Sequence, residues 1–178
     1  MYIQTVMMLL PIGAGAQYAN LPESPYDLWV QGNAVTDDNK ANILGGDMAT
    51  VSYDSEANVL TLNDVTIEGA TYTSGCILSG RSSLTIAIMG ENMIASSDTC
   101  TAIIAIGTGE QTLTLAKGGD GCSLSFNVDR SIRGFNSVSY TDLYWNGHYK
   151  YEPDSEEGAY KLMYHSGIEA KRVLDEQT

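Results

Sequence analysis

Apolar side chains alternate with serine and threonine in four segments of the chain, and this pattern predicts strands with one buried face. The segments cover residues 59–67, 83–94, 112–126 and 137–145. Each begins with an apolar anchor in an apolar–Thr/Ser–apolar context, and the anchors recur every 24 to 29 residues. They are Leu60, Leu84, Leu113 and Val138. The recurrence indicates an internal repeat.

Two further apolar stretches, Cys76 to Leu78 and Ala102 to Ile106, lie between the anchors, so each repeat contains about three short strands. One such unit cannot close a core alone, but stacked units bury their inward side chains as ladders. The sequence therefore predicts an all-β fold, a right-handed parallel β-helix (β-solenoid) of about four to six coils. A β-sandwich with strands every 8–12 residues is the alternative.

The predicted stacking can be stated residue by residue. Leu60, Leu84 and Leu113 should point inward and lie above one another in successive coils. The ladder formed by Leu62, Ile86 and Leu115 should lie beside them.

The first residues resemble the end of a secretory signal peptide. A short apolar run, Met7 to Gly13, precedes the A-x-A pattern of Ala14 to Ala16, although no Lys or Arg occurs before Lys40. We therefore interpret residues 1–16 as the remnant of a signal peptide; an ordinary N-terminal strand is the alternative. Residues 17–178 are predicted to form a single domain, with a repeat core of about 49–145 and an aromatic-rich C-terminal cap of 146–178.

Charge and cysteine content narrow the partners and the compartment. The chain has 22 acidic and 9 basic residues, a net charge of -13, which argues against nucleic acid or anionic membrane as a partner. The N-terminal apolar run is too short to span a bilayer, so we expect no membrane insertion, and we expect a monomer. The three cysteines, Cys76, Cys100 and Cys122, permit at most one disulfide, and their apolar surroundings favour buried thiols.

Several spaced motifs follow one another from residue 26 to 127. Tyr26 to Thr36 contains Leu-Trp-Val-x-Gly, Ala49 to Asp54 contains Thr-Val-Ser-Tyr-Asp, and Asn58 to Ile67 contains Leu-Thr-Leu-Asn. Ser83 to Ile94 adds a Leu-Thr-Ile repeat with Gly90, Asn92 and Ile94. This order resembles secreted and surface-attached bacterial β-helix domains, described as carbohydrate-binding-domain-containing proteins of gut anaerobes. The resemblance implies a secreted parallel β-helix without known enzymatic activity.

Aromatic residues concentrate near the C-terminus, with six of the eleven tyrosines between Tyr140 and Tyr164. Tyr144, Trp145 and Tyr149 flank an Asn-Gly turn, which should project at least one ring into solvent. Exposed Tyr and Trp rings stack on sugar faces, so these three residues are the predicted glycan-binding site. A second interpretation is that the rings cover the open end of the solenoid.

Short acidic turns are the candidate metal ligands. Asp37 and Asp38 form one turn, and Asp54 and Glu56 form another. Calcium takes several carboxylate and carbonyl oxygens, so calcium is the cofactor these residues would hold. No D-x-D-x-D-G loop is present. Solvated turn residues that cap strand ends are the alternative interpretation.

No catalytic residues are predicted. His148 and His165 lie outside every hydrolase or metalloprotease motif, and the carboxylates Asp64, Glu68 and Glu91 have no basic residue beside them. We therefore expect a secreted, periplasmic or cell-surface module that binds a polysaccharide or a surface glycan and is not an enzyme. A purely structural surface repeat and a polysaccharide lyase or hydrolase are the alternatives.

Overall fold

The chain folds into β-strands. The computed structural model describes residues 18, 20–48, 50–68, 75–95, 101–128, 130–141, 143, 148–154 and 159–165; for 130, 131, 148–154 and 159–165 it describes the backbone alone. More than half of the described residues lie in strands, and the described residues contain no α-helix. The predicted all-β class is therefore confirmed.

Within the described residues, fifteen strands, β1 to β15, follow one another in chain order. They are Leu28–Val30, Asn33–Ala34, Val51–Asp54, Val59–Asn63, Thr66–Glu68, Gly75–Ser79, Ser83–Met89, Glu91–Ala95, Thr101–Ala105, Thr112–Lys117, Ser123–Asn127, Arg130–Arg133, Ser137–Thr141, His148–Asp154 and Ala159–His165.

The strands form three sheets, and the chain visits them in one fixed order. The five-stranded sheet has the order β13-β10-β7-β4-β3, the three-stranded sheet β11-β8-β5, and the seven-stranded sheet β14-β15-β12-β9-β6-β1-β2. One pass consists of β4, β5 and β6; a second of β7, β8 and β9; a third of β10, β11 and β12. Strands of successive passes pair in parallel in all three sheets, and none of the sheets closes on itself.

One hydrophobic core joins the three sheets. Leu84 of the five-stranded sheet, Ile94 of the three-stranded sheet and Ile103 of the seven-stranded sheet belong to the same cluster, and all three are buried. Their neighbours two residues along each strand point the same way, which explains the alternating burial of β7 and β10. Each fully buried Leu or Ile contributes about 1.5–3 kcal/mol of hydrophobic stabilisation.

The register of the first pass differs from the predicted one. All six predicted ladder residues point inward and are buried, and Leu84 lies beside Leu113 as expected. Leu60, however, pairs with Ile86 and Leu62 with Ile88, so the expected Leu60–Leu84 and Leu62–Ile86 pairs are wrong. A two-residue shift keeps every side chain on its face, so the hydrophobic pattern cannot reveal it.

The hairpin that precedes β4 explains this shift. β3 and β4 pair antiparallel, and the turn between them ends at Asn58, whose φ is 56°. The Asn58 side chain then donates a hydrogen bond to the carbonyl of Ser83. The turn thus lies opposite Ser83, the first residue of β7. The first residue of β4, Val59, therefore pairs with Thr85, two residues further along β7.

The strands β6 and β9 of the seven-stranded sheet are buried on both of their faces. Ile77 and Ile103 point to the main core, whereas Leu78 and Ile104 pack with Trp29 in a second cluster on the opposite face. Partly buried residues from the N-terminal side, such as Leu21, cover this second cluster. Burial on both faces explains why β6 and β9 are continuous apolar runs rather than alternating ones.

Buried amide side chains join the passes at the corners between sheets. At the corner between the five- and three-stranded sheets, Asn92 is 3% exposed. Its Oδ1 accepts from the Val65 N–H at 3.1 Å, and its Nδ2 donates to the carbonyls of Met89, Gly90 and Ser123 at 2.8, 3.3 and 3.2 Å. One side chain thus connects three passes.

Gln111 has the same role at the corner between the seven- and five-stranded sheets. Its Nε2 donates to the carbonyls of Ser79 and Arg81 at 2.9 and 2.6 Å, and its Oε1 accepts from the Gly107 N–H at 2.8 Å. The Gln111 N–H donates to Oδ1 of Asn136 in the following pass. These bonds fix the corners and so hold the faces between them in register.

Antiparallel strands border the parallel pairs of the seven-stranded sheet. β1 pairs with β6 on one side, and β15, which forms a hairpin with β14, pairs with β12 on the other. The predicted cap, 146–178, thus includes a hairpin at the end of this sheet. Residues 1–17 and 166–178, including the predicted signal peptide, lie outside the described residues.

Candidate functional site

The outward face of the five-stranded sheet is the most regular surface of the described chain, and we call it the hydroxyl face. It consists of the outward side chains of β4, β7, β10 and β13, which lie opposite the buried leucines and isoleucines. Most of them carry a hydroxyl and none of them carries a charge. They are Val59, Thr61, Asn63, Ser83, Thr85, Ala87, Met89, Thr112, Thr114, Ala116, Ser137, Ser139 and Thr141.

Parallel register places these side chains in straight rows. One row contains Ser83, Thr112 and Ser137, and the next contains Thr85, Thr114 and Ser139. Neighbouring strands lie about 4.8 Å apart and alternate residues of one strand about 6.6 Å apart, so the hydroxyls form a rectangular array. β-Branched threonines have few χ1 rotamers, so the positions of their hydroxyls are restricted.

Hydroxyls of adjacent strands also contact each other. The oxygens of Thr114 and Ser139 lie 2.9 Å apart, which is a hydrogen bond. A hydroxyl has one donor and two acceptor positions, so each oxygen of this pair keeps capacity for a ligand. The face therefore presents fixed groups that both donate and accept.

A strip of small apolar side chains lies beside the hydroxyl rows. Ala87 pairs with Ala116 in the register, and we call these two residues the alanine strip. On one side the strip is bordered by Thr85 and Thr114, and on the other by Met89, which is 38% exposed. An alanine side chain is shorter than these neighbours, so the strip is a low apolar area, two residues long, between them.

The outward face of the three-stranded sheet has a different character. Glu68 and Glu91 are exposed there, together with Met93, which is 39% exposed. On the hydroxyl face, by contrast, the nearest charged side chains are at its borders. Lys117, at the end of β10, lies 2.7 Å from Asp120 beyond the strand, and Asp54 lies at the edge strand β3.

The first predicted metal turn is engaged by protein groups. Oδ1 of Asp37 accepts from the Tyr26 hydroxyl at 2.6 Å and from the Lys40 ammonium at 2.7 Å. The hydrogen bonds from Lys40 and then Tyr26 hold the pKa of Asp37 below its ordinary value. The bond to Asp37 in turn raises the pKa of Lys40. A cation bound at Asp37 would have to displace the Lys40 ammonium.

The second predicted metal turn is the β3–β4 hairpin. Oδ1 of Asp54 accepts from the N–H groups of Ala57 and Glu56 at 3.0 and 2.9 Å, and these bonds lower the pKa of Asp54. Asp54 therefore caps this turn. The Lys40 ammonium also donates to Ser55 at 3.3 Å, which places the two turns on either side of one cation.

The two remaining predicted ligands, Asp38 and Glu56, are exposed. Within the described part of the chain, no group of three or more His, Cys, Asp or Glu side chains could hold a metal ion. Calcium at these turns remains a prediction.

Aromatic and cationic side chains form a stack next to these turns. The rings of Tyr26 and Tyr53 are 5.3 Å apart at 59°. The Lys40 ammonium lies 5.5 Å from the Tyr26 ring, and the Arg81 guanidinium carbon 5.9 Å from the Tyr53 ring. Burial of Tyr53 raises its pKa. The stack connects the N-terminal loops to β3 and to the turn before β7.

The predicted glycan-binding residues lie outside the described side chains. Tyr144 and Trp145 lie outside the described residues, and Tyr149 lies on β14, where the backbone alone is described. Sequence reasoning missed the hydroxyl face as a candidate. Its signal was nonetheless present in the alternation itself, since Ser-Leu-Thr-Ile-Ala and Thr-Leu-Thr-Leu-Ala both place hydroxyls opposite the core.

The carboxylates Asp64, Glu68 and Glu91, considered for an enzyme, do not share a sheet with Arg130 or Arg133. Asp64 lies at the corner after β4, where its Oδ1 accepts from the Glu91 N–H at 2.8 Å. Arg130 and Arg133 lie on β12 of the seven-stranded sheet. The backbone contact of Asp64 gives this residue a role in fixing the corner.

Two of the three cysteines lie within the described residues. Cys76 is buried and Cys122 half-buried, and neither forms a disulfide; Cys100 lies outside the described residues. The described residues include no helix of the length and apolarity that a bilayer crossing needs.

The chain matches no protein-family model, no curated protein and no solved structure.

Proposed function

We propose that the chain is a β-solenoid module, secreted or exposed at a bacterial surface, that binds glycan and is not an enzyme. Three features of the fold support the solenoid. The chain passes through the sheets in one order, each pass pairs in parallel with the next, and one core serves all three sheets. The proposal includes the relationship to secreted β-helix surface domains that the sequence resembles.

The hydroxyl face is the observation that carries glycan binding. It combines fixed hydroxyls with the methyl groups of the alanine strip, and sugars likewise present hydroxyls on their edges and C–H groups on their faces. A ligand bound in this way needs no charged partner, which fits a chain of net charge -13. Several weak contacts repeated along a rigid face can give useful affinity because little entropy is lost on binding.

Retention of the protein on a panel of carbohydrates tests this function. The panel contains soluble glycans attached to a support and polysaccharides that are themselves insoluble. We expect the folded protein to be retained on at least one polysaccharide and the heat-unfolded protein to be lost from it. Absence of retention on the whole panel would favour a purely structural surface repeat. Release of reducing ends or unsaturated uronides from any polysaccharide would instead establish an enzyme.

A further inference from the structure

The hydroxyl face is specific enough to indicate a ligand class. We propose that it binds a neutral, extended polysaccharide chain that lies along the alanine strip and crosses the strands of the five-stranded sheet. This inference rests on the proposed glycan-binding function and adds the location, the direction and the charge of the ligand.

The location follows from the side-chain profile along each strand. The outward side chains of β7 are, in order, Ser83, Thr85, Ala87 and Met89. Two hydroxyl side chains are thus followed by the short side chain of an alanine and then by the exposed thioether of a methionine. A sugar ring above Ala87 has methyl contact below, a hydroxyl wall on one side and the flexible Met89 on the other. Methionine adapts its shape to irregular surfaces, which suits a rim.

The direction follows from the register. The row that contains Ala87 and Ala116 begins at Thr61 and ends at Thr141, so the alanine strip has a hydroxyl at either end. These four strands span about 14 Å at the usual strand spacing. Along a single strand, by contrast, a ligand would contact only one of the two alanines. An extended chain therefore makes the most contact when it crosses the strands.

The charge of the ligand follows from charge complementarity. The outward positions of β4, β7, β10 and β13 carry no charged side chain, although acidic residues exceed basic ones 22 to 9 in the whole chain. An anionic polymer would find no cation on this face and would be repelled by the net charge around it. A neutral polymer needs no cation on the face and is not repelled by the net charge of the protein.

Two substitutions on the face test the location. Thr114→Val removes one hydroxyl at nearly constant shape and should weaken binding three- to tenfold, as the loss of one hydrogen bond does. Ala116→Glu fills the strip and adds a charge, and it should weaken binding at least twentyfold. The controls are Thr66→Val, which removes one hydroxyl, and Ser125→Glu, which adds a charged side chain, both at exposed positions of the three-stranded sheet. Both controls should leave the affinity unchanged.

The ligand class is tested with one linear neutral polysaccharide that retains the protein in the panel experiment, and with the carboxymethylated derivative of that polysaccharide. Each polymer is titrated with and without a chelator. We expect the neutral polymer to bind equally in both conditions and the carboxymethylated one to bind at least tenfold more weakly. Equal or tighter binding of the carboxymethylated polymer would overturn the assignment of a neutral ligand. Thermal unfolding must show that every variant is folded before its affinity is compared.

The remaining outcomes separate this inference from the function on which it rests. Unchanged affinity of the Ala116→Glu protein for a polysaccharide that the native protein binds would overturn the location and leave glycan binding standing. Failure of every polysaccharide to bind would overturn both. A native dimer that Ala116→Glu converts to monomer, measured by light scattering, would make the face a contact between two copies and would also overturn the inference.

Discussion

Replacing Asn92 by alanine removes the side chain that links three passes at one corner. Four hydrogen bonds are lost, and Val65 loses the acceptor of its buried N–H. The carbonyl of Met89 keeps a second partner in the Asp64 N–H, and the carbonyl of Gly90 keeps one in the Ser123 N–H. The Val65 N–H is therefore the group most harmed by the change.

The expected cost can be worked out from these contacts. An unsatisfied buried donor costs about 1–3 kcal/mol, and a lost bond whose partner is otherwise satisfied costs about 0.5–1 kcal/mol. The sum for Asn92→Ala, one unsatisfied donor and three other lost bonds, is about 2.5–6 kcal/mol. In a chain of this size each kcal/mol lowers Tm by about 2–4 °C. Asn92→Asp should be worse at pH 7, because a carboxylate cannot donate to the Met89 and Ser123 carbonyls.

Urea unfolding followed by circular dichroism at pH 7 measures this cost. The matched control is Asn127→Ala, an exposed asparagine on the same three-stranded sheet, which should change the free energy of unfolding by less than 0.5 kcal/mol. Acidification toward pH 4 should restore part of the stability of Asn92→Asp relative to the native protein, since a protonated carboxyl can donate. A cost below about 0.5 kcal/mol for Asn92→Ala, with an unchanged slope in urea, would refute the assigned role.

Three other expectations can be checked in the same way. Leu84→Asp places a carboxylate in the core and should cost at least about 3 kcal/mol in urea unfolding, whereas Thr85→Asp, on the outward side, should cost under 1 kcal/mol; equal costs would contradict the facing of β7. Gly90→Ala should lower stability by about 1–2 kcal/mol because its φ is 62° and an added Cβ would overlap a carboxylate, while Gly119→Ala, in open space, should be neutral. Burial raises the pKa of Tyr140 to about 12 from an ordinary value near 10, so its neutral form stabilises the fold fully below pH 10 and this stability is lost as the pH rises toward 12. Subtracting the 295 nm titration of Tyr140→Phe from that of the native protein should show this delayed ionisation, and a difference titrating near pH 10 would contradict it.

The inward residues of the repeat could be predicted from the sequence because period-two alternation fixes which face each side chain takes. Leu84, Leu113 and Ile86 are buried for this reason. The register of Leu60 could not be predicted, because a two-residue shift preserves the same pattern and the shift depends on the turn that ends at Asn58. Turn geometry of that kind is set by contacts with a later pass.

The candidate site was harder to predict than the core. Thr85 and Thr114 are unremarkable as single residues, and they form a row only once β7 and β10 are aligned. The antiparallel strands β1 and β3 were also missed, because short apolar segments carry no information about the direction of their neighbours. The aromatic cluster drew attention because its composition is visible without any alignment of strands.

The parallel register of the hydroxyl face has a consequence for how such a surface can change. Each additional pass would lengthen every row by one residue, about 4.8 Å, and would leave the inner contacts of earlier passes as they are. If the face binds a polymer as proposed, the number of subsites on the protein would grow with the number of repeats, and duplication or loss of a repeat would change avidity in steps. Binding strength could thus be adjusted by the length of the array without altering any individual subsite.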